Sequence, residues 1–271
     1  MKLRQLALLL LLAAMPAGHS LAQSSSPQAD VSSDDLKIAA LEALVVAPAN
    51  RAIPLANKVL TGNHSDDVKT KALFVLSQFD EPEAQARLLE FARNGDGELR
   101  IEAVRMIGIG GDPDALAGLP GLYDSGDGEL KRAVLEAFLI ADDANAVYEI
   151  AAKATDDEDF ADAVEILGAM AAHDELRKLR DKAGISPSLI EAYAVSGDVE
   201  TLRELARDRS NPEQQERAIE GLMIADDEDG LIELYRESTT VAEKRMVLEK
   251  LSMMDGDRVF EIIDEALDGG Q

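Results

Sequence analysis

The chain has 271 residues, of which 53 are acidic and 27 are basic, so its formal charge at pH 7 is -26. This length is enough to bury a hydrophobic core, and 46% hydrophobic residues is too large a fraction for a wholly disordered protein. The negative charge argues against nucleic acid and anionic membranes as partners, and the absence of cysteine excludes disulfides, thiolate nucleophiles and cysteine-ligated zinc.

Residues 1–22 have the pattern of a secretory signal peptide. Two basic residues precede an apolar run at residues 6–14, and small residues follow at Ser20 and Ala22. The apolar run is too short to span a bilayer, and no cysteine follows it that could carry a lipid anchor. We therefore expect cleavage after Ala22, export to the periplasm or the exterior, and no membrane insertion of the mature chain.

Residues 23–35 are rich in serine and have no periodic apolar pattern, which predicts a flexible linker. From Leu36 onward, no segment shows the sustained alternation of apolar and polar residues that is typical of a half-buried strand. Alanine, leucine and glutamate dominate instead, and these residues favour helix. The sequence therefore predicts an all-α domain over residues 36–271.

Internal repetition with a period of 31 residues is the strongest signal in the chain. The segment Gly-Asp-Gly-Glu-Leu occurs at residues 95–99 and again at 126–130. Apolar positions recur with the same spacing in three series: Val68, Leu99 and Leu130; Ala84, Ala115 and Ala146; Leu88, Leu119 and Ile150. Each repeat contains two short amphipathic helices joined by an acidic or glycine-containing turn.

Counting the acidic turns gives about eight units. Their predicted starts are Leu36, Val68, Leu99, Leu130, Asp159, Ile185, Gln214 and Glu243. Helices this short are not stable alone in water, so each unit must use its neighbours to bury its apolar faces. The sequence therefore predicts an α-solenoid, which is an α/α superhelix of stacked helix pairs with one continuous core. In the third unit, Asp114 is the expected cap of the second helix.

These units resemble the HEAT-like repeat family, in particular the short-period repeats of phycobilisome lyases. The resemblance covers about residues 36–267 and is carried by the runs Val68 to Ala72 with Val75-Leu76, Leu99 to Ala103 with Met106-Ile107, and Leu130 to Val134 with Ala137-Phe138. It implies a scaffold or adaptor that binds proteins, since only a minority of the family are bilin lyases. Lyase activity is not expected here, because the predicted export and the lack of cysteine both argue against chromophore chemistry.

No group of residues predicts a catalytic site or a bound cofactor. His64 and His173 are the histidines left after signal cleavage, and both are expected in solvated turns. Ser65 or Asp66 is expected to cap the helix that follows His64. The glycines at 108–111 lack the fingerprint of a phosphate-binding loop and are expected to end a helix. We therefore expect a protein that is not an enzyme.

Clusters of acidic residues leave calcium binding as an alternative. Residues 156–159 and 226–229 each place four carboxylates together, and residues 124–129 faintly resemble a calcium loop. Neither the segment at 124 nor the segment at 226 has the ligand spacing of an EF-hand, so no metal site is predicted. The competing explanation is that these acids cap helix N-termini, where the helix dipole favours negative charge. A calcium-responsive or envelope-structural solenoid stays open as the alternative function.

Basic residues concentrate on the second helices of the fifth and sixth units. Because the second helices of a superhelix lie side by side, we expect Arg177 and Arg203 to be neighbours and Tyr148 to extend the same stripe. Arginine pairs well with carboxylates and phosphates, so the stripe is predicted to bind a protein partner. The candidate residues are Tyr148, Arg177, Lys178, Arg180, Arg203 and Arg207. The alternative is neutralisation of these bases through helical pairs with the acids Glu175, Asp181, Glu200, Glu204 and Asp208.

Overall fold

A computed structural model describes residues 33–268 of the chain. This range contains helices and no strand, which confirms the all-α prediction. None of these helices is long and apolar enough to cross a membrane. The predicted signal peptide and residues 23–32 of the predicted linker lie outside the described residues. The last three linker residues begin the first helix instead, because Asp34 and Asp35 in its first turn favour a helix start.

The helices in chain order are α1 Ser33–Leu44, α2 Ala49–Leu60, α3 Asp66–Ser77, α4 Pro82–Asn94, α5 Gly97–Gly110, α6 Pro113–Leu116, α7 Pro120–Ser125, α8 Gly128–Ala141, α9 Ala144–Lys153, α10 Asp157–Ala169, α11 His173–Ala183, α12 Pro187–Ser196, α13 Val199–Arg207, α14 Pro212–Ile224, α15 Glu228–Glu237, α16 Val241–Leu251 and α17 Asp257–Asp268. They form eight units. The first helices are α1, α3, α5, α8, α10, α12, α14 and α16. The remaining helices are the second helices of the same units. Each predicted unit start lies two or three residues from the observed start of a first helix, so the repeat prediction is confirmed.

The units stack so that first helices pack on first helices, and a second helix packs on the first helix of the next unit. The buried side chains form one continuous cluster from Leu41 in α1 to Ile262 in α17. In units two to seven, the helices have 9 to 14 residues, apart from the broken second helix of the third unit. Helices this short are stable here because they share their buried surface with neighbouring units.

The acidic turns start the helices, as the sequence suggested. Asp127, Asp156 and Asp227 each accept a backbone N–H in the first turn of α8, α10 and α15. The third unit differs from its prediction, because Asp112 and not Asp114 caps its second helix, with Oδ1 2.9 Å from the amide nitrogen of Ala115. Proline is favoured as the first helical residue, so Pro113 sets the start one residue after Asp112. A second proline, at the start of α7, breaks this helix in two.

Close backbone contact joins pairs of first helices. A Cβ added to Gly108 of α5 would lie 2.7 Å from the Cα and the carbonyl oxygen of Ala137 in α8. A Cβ added to Gly168 of α10 would lie 3.0 Å from the Cα of Ala192 in α12. These distances are shorter than normal contacts, so both positions need a glycine for the helices to approach this closely.

We expect Gly108→Ala to lower the free energy of unfolding by about 1–3 kcal/mol, because the new Cβ must push α5 away from α8. The better helix propensity of alanine opposes this loss by only about 1 kcal/mol. Gly128→Ala is the control, since a Cβ there meets no atom within 4 Å. Urea unfolding followed by circular dichroism measures both variants. If the two are equally stable, the close approach of α5 and α8 is contradicted.

Candidate functional site

The structure places all the predicted partner-binding residues on second helices. Tyr148 lies on α9, and the others lie on the next two second helices, with Arg177, Lys178 and Arg180 on α11 and Arg203 and Arg207 on α13. The Lys178 ammonium lies 5.8 Å from the centre of the Tyr148 ring, which is within the range of a cation–π contact. The stripe is therefore continuous between the fourth and fifth units.

Arg177 and Arg203 tie each unit to the next. The Nε and Nη2 of Arg177 donate to the two carboxylate oxygens of Asp198, at 3.0 and 2.7 Å. Arg203 makes the same bidentate contact with Asp227, and its Nε lies 2.6 Å from Oδ2. Asp198 and Asp227 are the N-caps of α13 and α15, and their side chains are only 1% and 8% exposed. These two arginines therefore hold the caps of the following second helices.

Hydrogen bonds keep both Asp198 and Arg177 in their charged forms. Burial would raise the pKa of Asp198, but the hydrogen bonds from Arg177 and Thr201 outweigh it and hold this pKa below its usual value. The hydrogen bond to Asp198 in turn raises the pKa of Arg177. Both groups therefore stay charged at neutral pH.

The other bases of the stripe are also paired, and mostly not within their own helix. The Nζ of Lys178 lies 3.2 Å from Glu175 on the same helix, as the neutralisation alternative expected. Arg180 contacts Glu204 of the next unit, and Arg207 contacts two glutamates of α15. The side chains of Lys178 and Arg207 are 56% and 40% exposed, so they remain the accessible part of the stripe.

A groove that the sequence reasoning missed lies where the first three units meet. It has a volume of about 980 Å³ and is found where α2 and α4 end and α3 and α5 begin. Phe91 and Leu99 supply apolar surface, and Lys58 and Lys69 supply positive charge. Neither lysine side chain makes an ion pair or a hydrogen bond with any residue that the structure describes. The groove therefore combines apolar surface with unused positive charge.

The charge distribution is a sequence signal that could have found this groove. Residues 49–100 hold seven basic and eight acidic residues, whereas residues 101–271 hold 17 basic and 41 acidic residues. The nearly neutral stretch is the one that forms the groove.

The two histidines do not form a catalytic group with the residues around them. Ser65 occupies the N-cap position of α3, but its hydroxyl donates to Asp34 at 2.7 Å and makes no cap bond, so the expected side-chain cap is wrong. Nδ1 of His64 has no hydrogen-bond partner among the described residues. The prediction of a solvated loop is wrong for His173, which begins α11 and places Nε2 2.9 Å from the carbonyl oxygen of Ser196.

Within residues 33–268, no group of three or more histidine or acidic side chains is arranged to hold a metal ion. In the two four-carboxylate clusters, Asp156 and Asp227 instead accept backbone N–H groups at the starts of α10 and α15. The capping explanation therefore accounts for one residue of each cluster directly.

We expect Asp198→Asn to destabilise the fold at neutral pH by removing the charge that faces Arg177 while keeping an oxygen for the helix cap. The loss should be about 1–3 kcal/mol in the free energy of unfolding, because the Arg177 side chain, 36% exposed, is partly screened by water. Asp143→Asn is the matched control, since Asp143 caps α9 without an ion pair, and it should cost less than about 0.5 kcal/mol.

The same pair of proteins tests the pH dependence. Because folding lowers the pKa of Asp198, its ionic contribution is complete above the unfolded pKa of about 3.9 and is lost as the pH falls through the folded value. The stability difference between wild type and Asp198→Asn should therefore shrink as the pH falls below about 4. Urea unfolding from neutral to acid pH measures it, and a difference that does not change with pH would count against an ionised Asp198.

Comparison with known proteins agrees with this architecture. Residues 53–139 match the family of HEAT repeats. No curated protein has a sequence that matches the chain. Among solved structures, the chain is similar to the complex of CpcE and CpcF of phycocyanin lyase from Nostoc sp. PCC7120, with a TM-score of 0.35, 15% sequence identity and coverage of 92% of this chain and 98% of that chain. The helix pairs of residues 53–139 continue on both sides of that range, so the chain has the architecture of an all-α solenoid of stacked helix pairs similar to HEAT repeats.

Proposed function

We propose that the mature chain is a non-catalytic scaffold that binds a protein partner along its second helices. The observation that carries the proposal is that clefts recur between consecutive second helices, at α2 and α4, at α7 and α9, and at α13 and α15. Stacked repeats offer an extended surface of this kind, and HEAT repeats commonly mediate protein interactions. A cleft also crosses α3, α5 and α8 on the first-helix side, but the arginines that line it pair with glutamates of the chain itself.

The location in the periplasm or cell envelope is part of the same proposal. It is supported by the signal-peptide pattern of residues 1–22. After removal of that segment, the chain would carry 25 basic and 53 acidic residues. A partner must therefore tolerate a strongly negative surface and offer charges that match its few accessible bases, such as Lys178 and Arg207, which favours selective binding.

Site-specific photocrosslinking in the compartment of export tests the scaffold proposal. In two test variants, a photoreactive residue replaces Leu55 or Lys178 on the second helices. In two control variants, the same residue replaces Arg132 or Glu165 on the first helices. All four side chains are at least 48% exposed, so the replacements should leave the fold intact. Arg177 and Arg203 are avoided, because they hold buried aspartates.

We expect protein adducts from the second-helix positions and few from the first-helix positions. Circular dichroism of the purified variants checks that each one is folded. Equal adduct yields from both faces, or no adducts from folded variants, would contradict binding along the second helices.

Export is tested separately by sequencing the N-terminus of the protein recovered from the envelope fraction. We expect a mature chain that begins at Gln23, because cleavage follows the small residue Ala22. A cytoplasmic protein that retains residues 1–22 would rule out the proposed location without affecting the binding proposal.

A further inference from the structure

The three clefts along the second helices lie at equivalent places in the repeat. Each lies between consecutive second helices and is bordered by the first turns of two first helices. Their volumes are about 980 Å³ at α2 and α4, 420 Å³ at α7 and α9, and 210 Å³ at α13 and α15. The middle cleft borders the broken helix of the third unit, so the clefts differ in local backbone as well as in their side chains.

The two smaller clefts each contain an acid of the chain itself that is paired with a base. The acid is the third residue of the first helix on the far side, Asp159 in α10 and Glu243 in α16. The Nζ of Lys131 lies 2.6 and 2.8 Å from the two carboxylate oxygens of Asp159. The Nε of Arg209 lies 2.6 Å from Glu243. These clefts are therefore partly closed by internal ion pairs.

The largest cleft also contains an ion pair, Arg87 with Glu90 of the same helix, but it has no acid at the place that Asp159 and Glu243 take. Lys69 is the fourth residue of α3, as Lys131 is the fourth residue of α8. The third residue of α5, where Asp159 stands in α10, is Leu99. Lys69 is half-buried, and across the described chain no carboxylate lies within ion-pair distance of it or of Lys58.

An unpaired, half-buried lysine is unusual in a chain with 53 acidic and 27 basic residues. No carboxylate of the described chain pairs with its ammonium, and a ligand carboxylate can supply that contact. The cleft is also lined by carboxylates, namely Asp66, Glu90, Asp96 and Glu98. They would repel a uniform polyanion, so a ligand with separate charged and apolar groups fits better.

Features of a peptide-binding site complete the lining. The side-chain amides of Asn57 and Asn94 face no hydrogen-bond partner within residues 33–268, and an amide can both donate to and accept from a peptide backbone. Phe91 and Leu99 give an apolar surface beside the lysines. These groups match an extended chain that carries an acidic and an apolar side chain close together.

We propose that an extended peptide segment of the partner binds in the cleft between α2 and α4, with a carboxylate at Lys69 and Lys58 in the place that Asp159 takes in the equivalent cleft. An apolar side chain next to that carboxylate packs on Phe91 and Leu99. This inference rests on the proposed scaffold function and names the chemistry of the partner segment.

A library of ten-residue peptides with a central aspartate or glutamate tests it, against a matched library with a central asparagine or glutamine. Binding to the exported chain is measured by selection and then by fluorescence anisotropy of the selected peptides. We expect selection of acidic centres with an apolar neighbour, and about tenfold weaker binding when the acid becomes its amide. Absence of a preference for the acidic library overturns the inference. The inference is also overturned if free N-acetyl-aspartate displaces the peptide at the concentration at which the peptide itself binds, because the rest of the peptide would then add nothing to the affinity.

Charge-matched variants locate the binding. Lys58→Glu with Lys69→Glu should remove the preference for acidic peptides. Arg51→Glu with Arg93→Glu is the control, since these bases lie on the same two second helices, also lack ion pairs and do not line the cleft. Equal loss in both double variants would overturn the assignment to this cleft.

Leu99→Asp is an independent test, because it adds the acid that the equivalent clefts already contain. We expect it to pair with Lys69 and to weaken binding of the acidic peptides at least tenfold, in a protein whose melting curve shows that it is folded. Unchanged binding by folded Leu99→Asp would overturn the inference. If second-helix positions crosslink to a protein but the chain shows no preference for acidic peptides, this inference is overturned and the scaffold proposal is still supported.

Discussion

The apolar faces of each helix pair can be buried only by the neighbouring pair, and this constraint organises the rest of the molecule. The result is one core from Leu41 to Ile262. In the layer of first helices, burial is completed by backbone contact, as at Gly108 against Ala137. Ion pairs join neighbouring helices in both layers, as Arg105 with Glu136 between first helices and Arg177 with Asp198 between second helices. Three clefts lie between consecutive second helices, so the layer of second helices leaves space for a ligand at several places along the stack.

Uneven charge along the stack decides which bases are available. From residue 101 to the end there are more than two acids for each base, and most bases there have a carboxylate of the chain within reach, as Arg203 has Asp227. Such pairing reduces the mutual repulsion of the acids, so it contributes to the compact state. Between residues 49 and 100 the two signs nearly balance, and Lys58 and Lys69 stay without an ion pair. The chain therefore has most of its unpaired bases in the stretch where acids and bases nearly balance, although Arg245 and Lys244 are also without an ion pair within the described chain.

The sequence predicts the repeat and its boundaries well, because a fixed spacing of apolar residues is visible without any knowledge of the fold. Val68, Leu99 and Leu130 marked unit starts to within two residues of the helices. The ties between units were missed. Same-helix pairs are visible at spacings of three or four, whereas Arg177 meets Asp198 only because the superhelix brings the start of one second helix beside the previous one. The open cleft was missed for a related reason, since the sequence does not show that Lys58 at the end of α2 and Lys69 at the start of α3 line one cleft with Phe91 and Leu99.

Comparison of the three clefts shows how the residue at one position of the repeat changes the pairing of the bases nearby. Asp159 and Glu243 show that an acid fits at this place in the repeat and can form an ion pair there. Leu99 instead keeps the apolar residue of the repeat series that also contains Val68 and Leu130, and it packs against the core. Lys58 and Lys69 therefore have no ion pair within the described chain, whereas Arg177 and Arg203 of the arginine stripe are already bound to buried aspartates. The cleft between α2 and α4, rather than the arginine stripe, is therefore the place where this solenoid has positive charge left for a ligand.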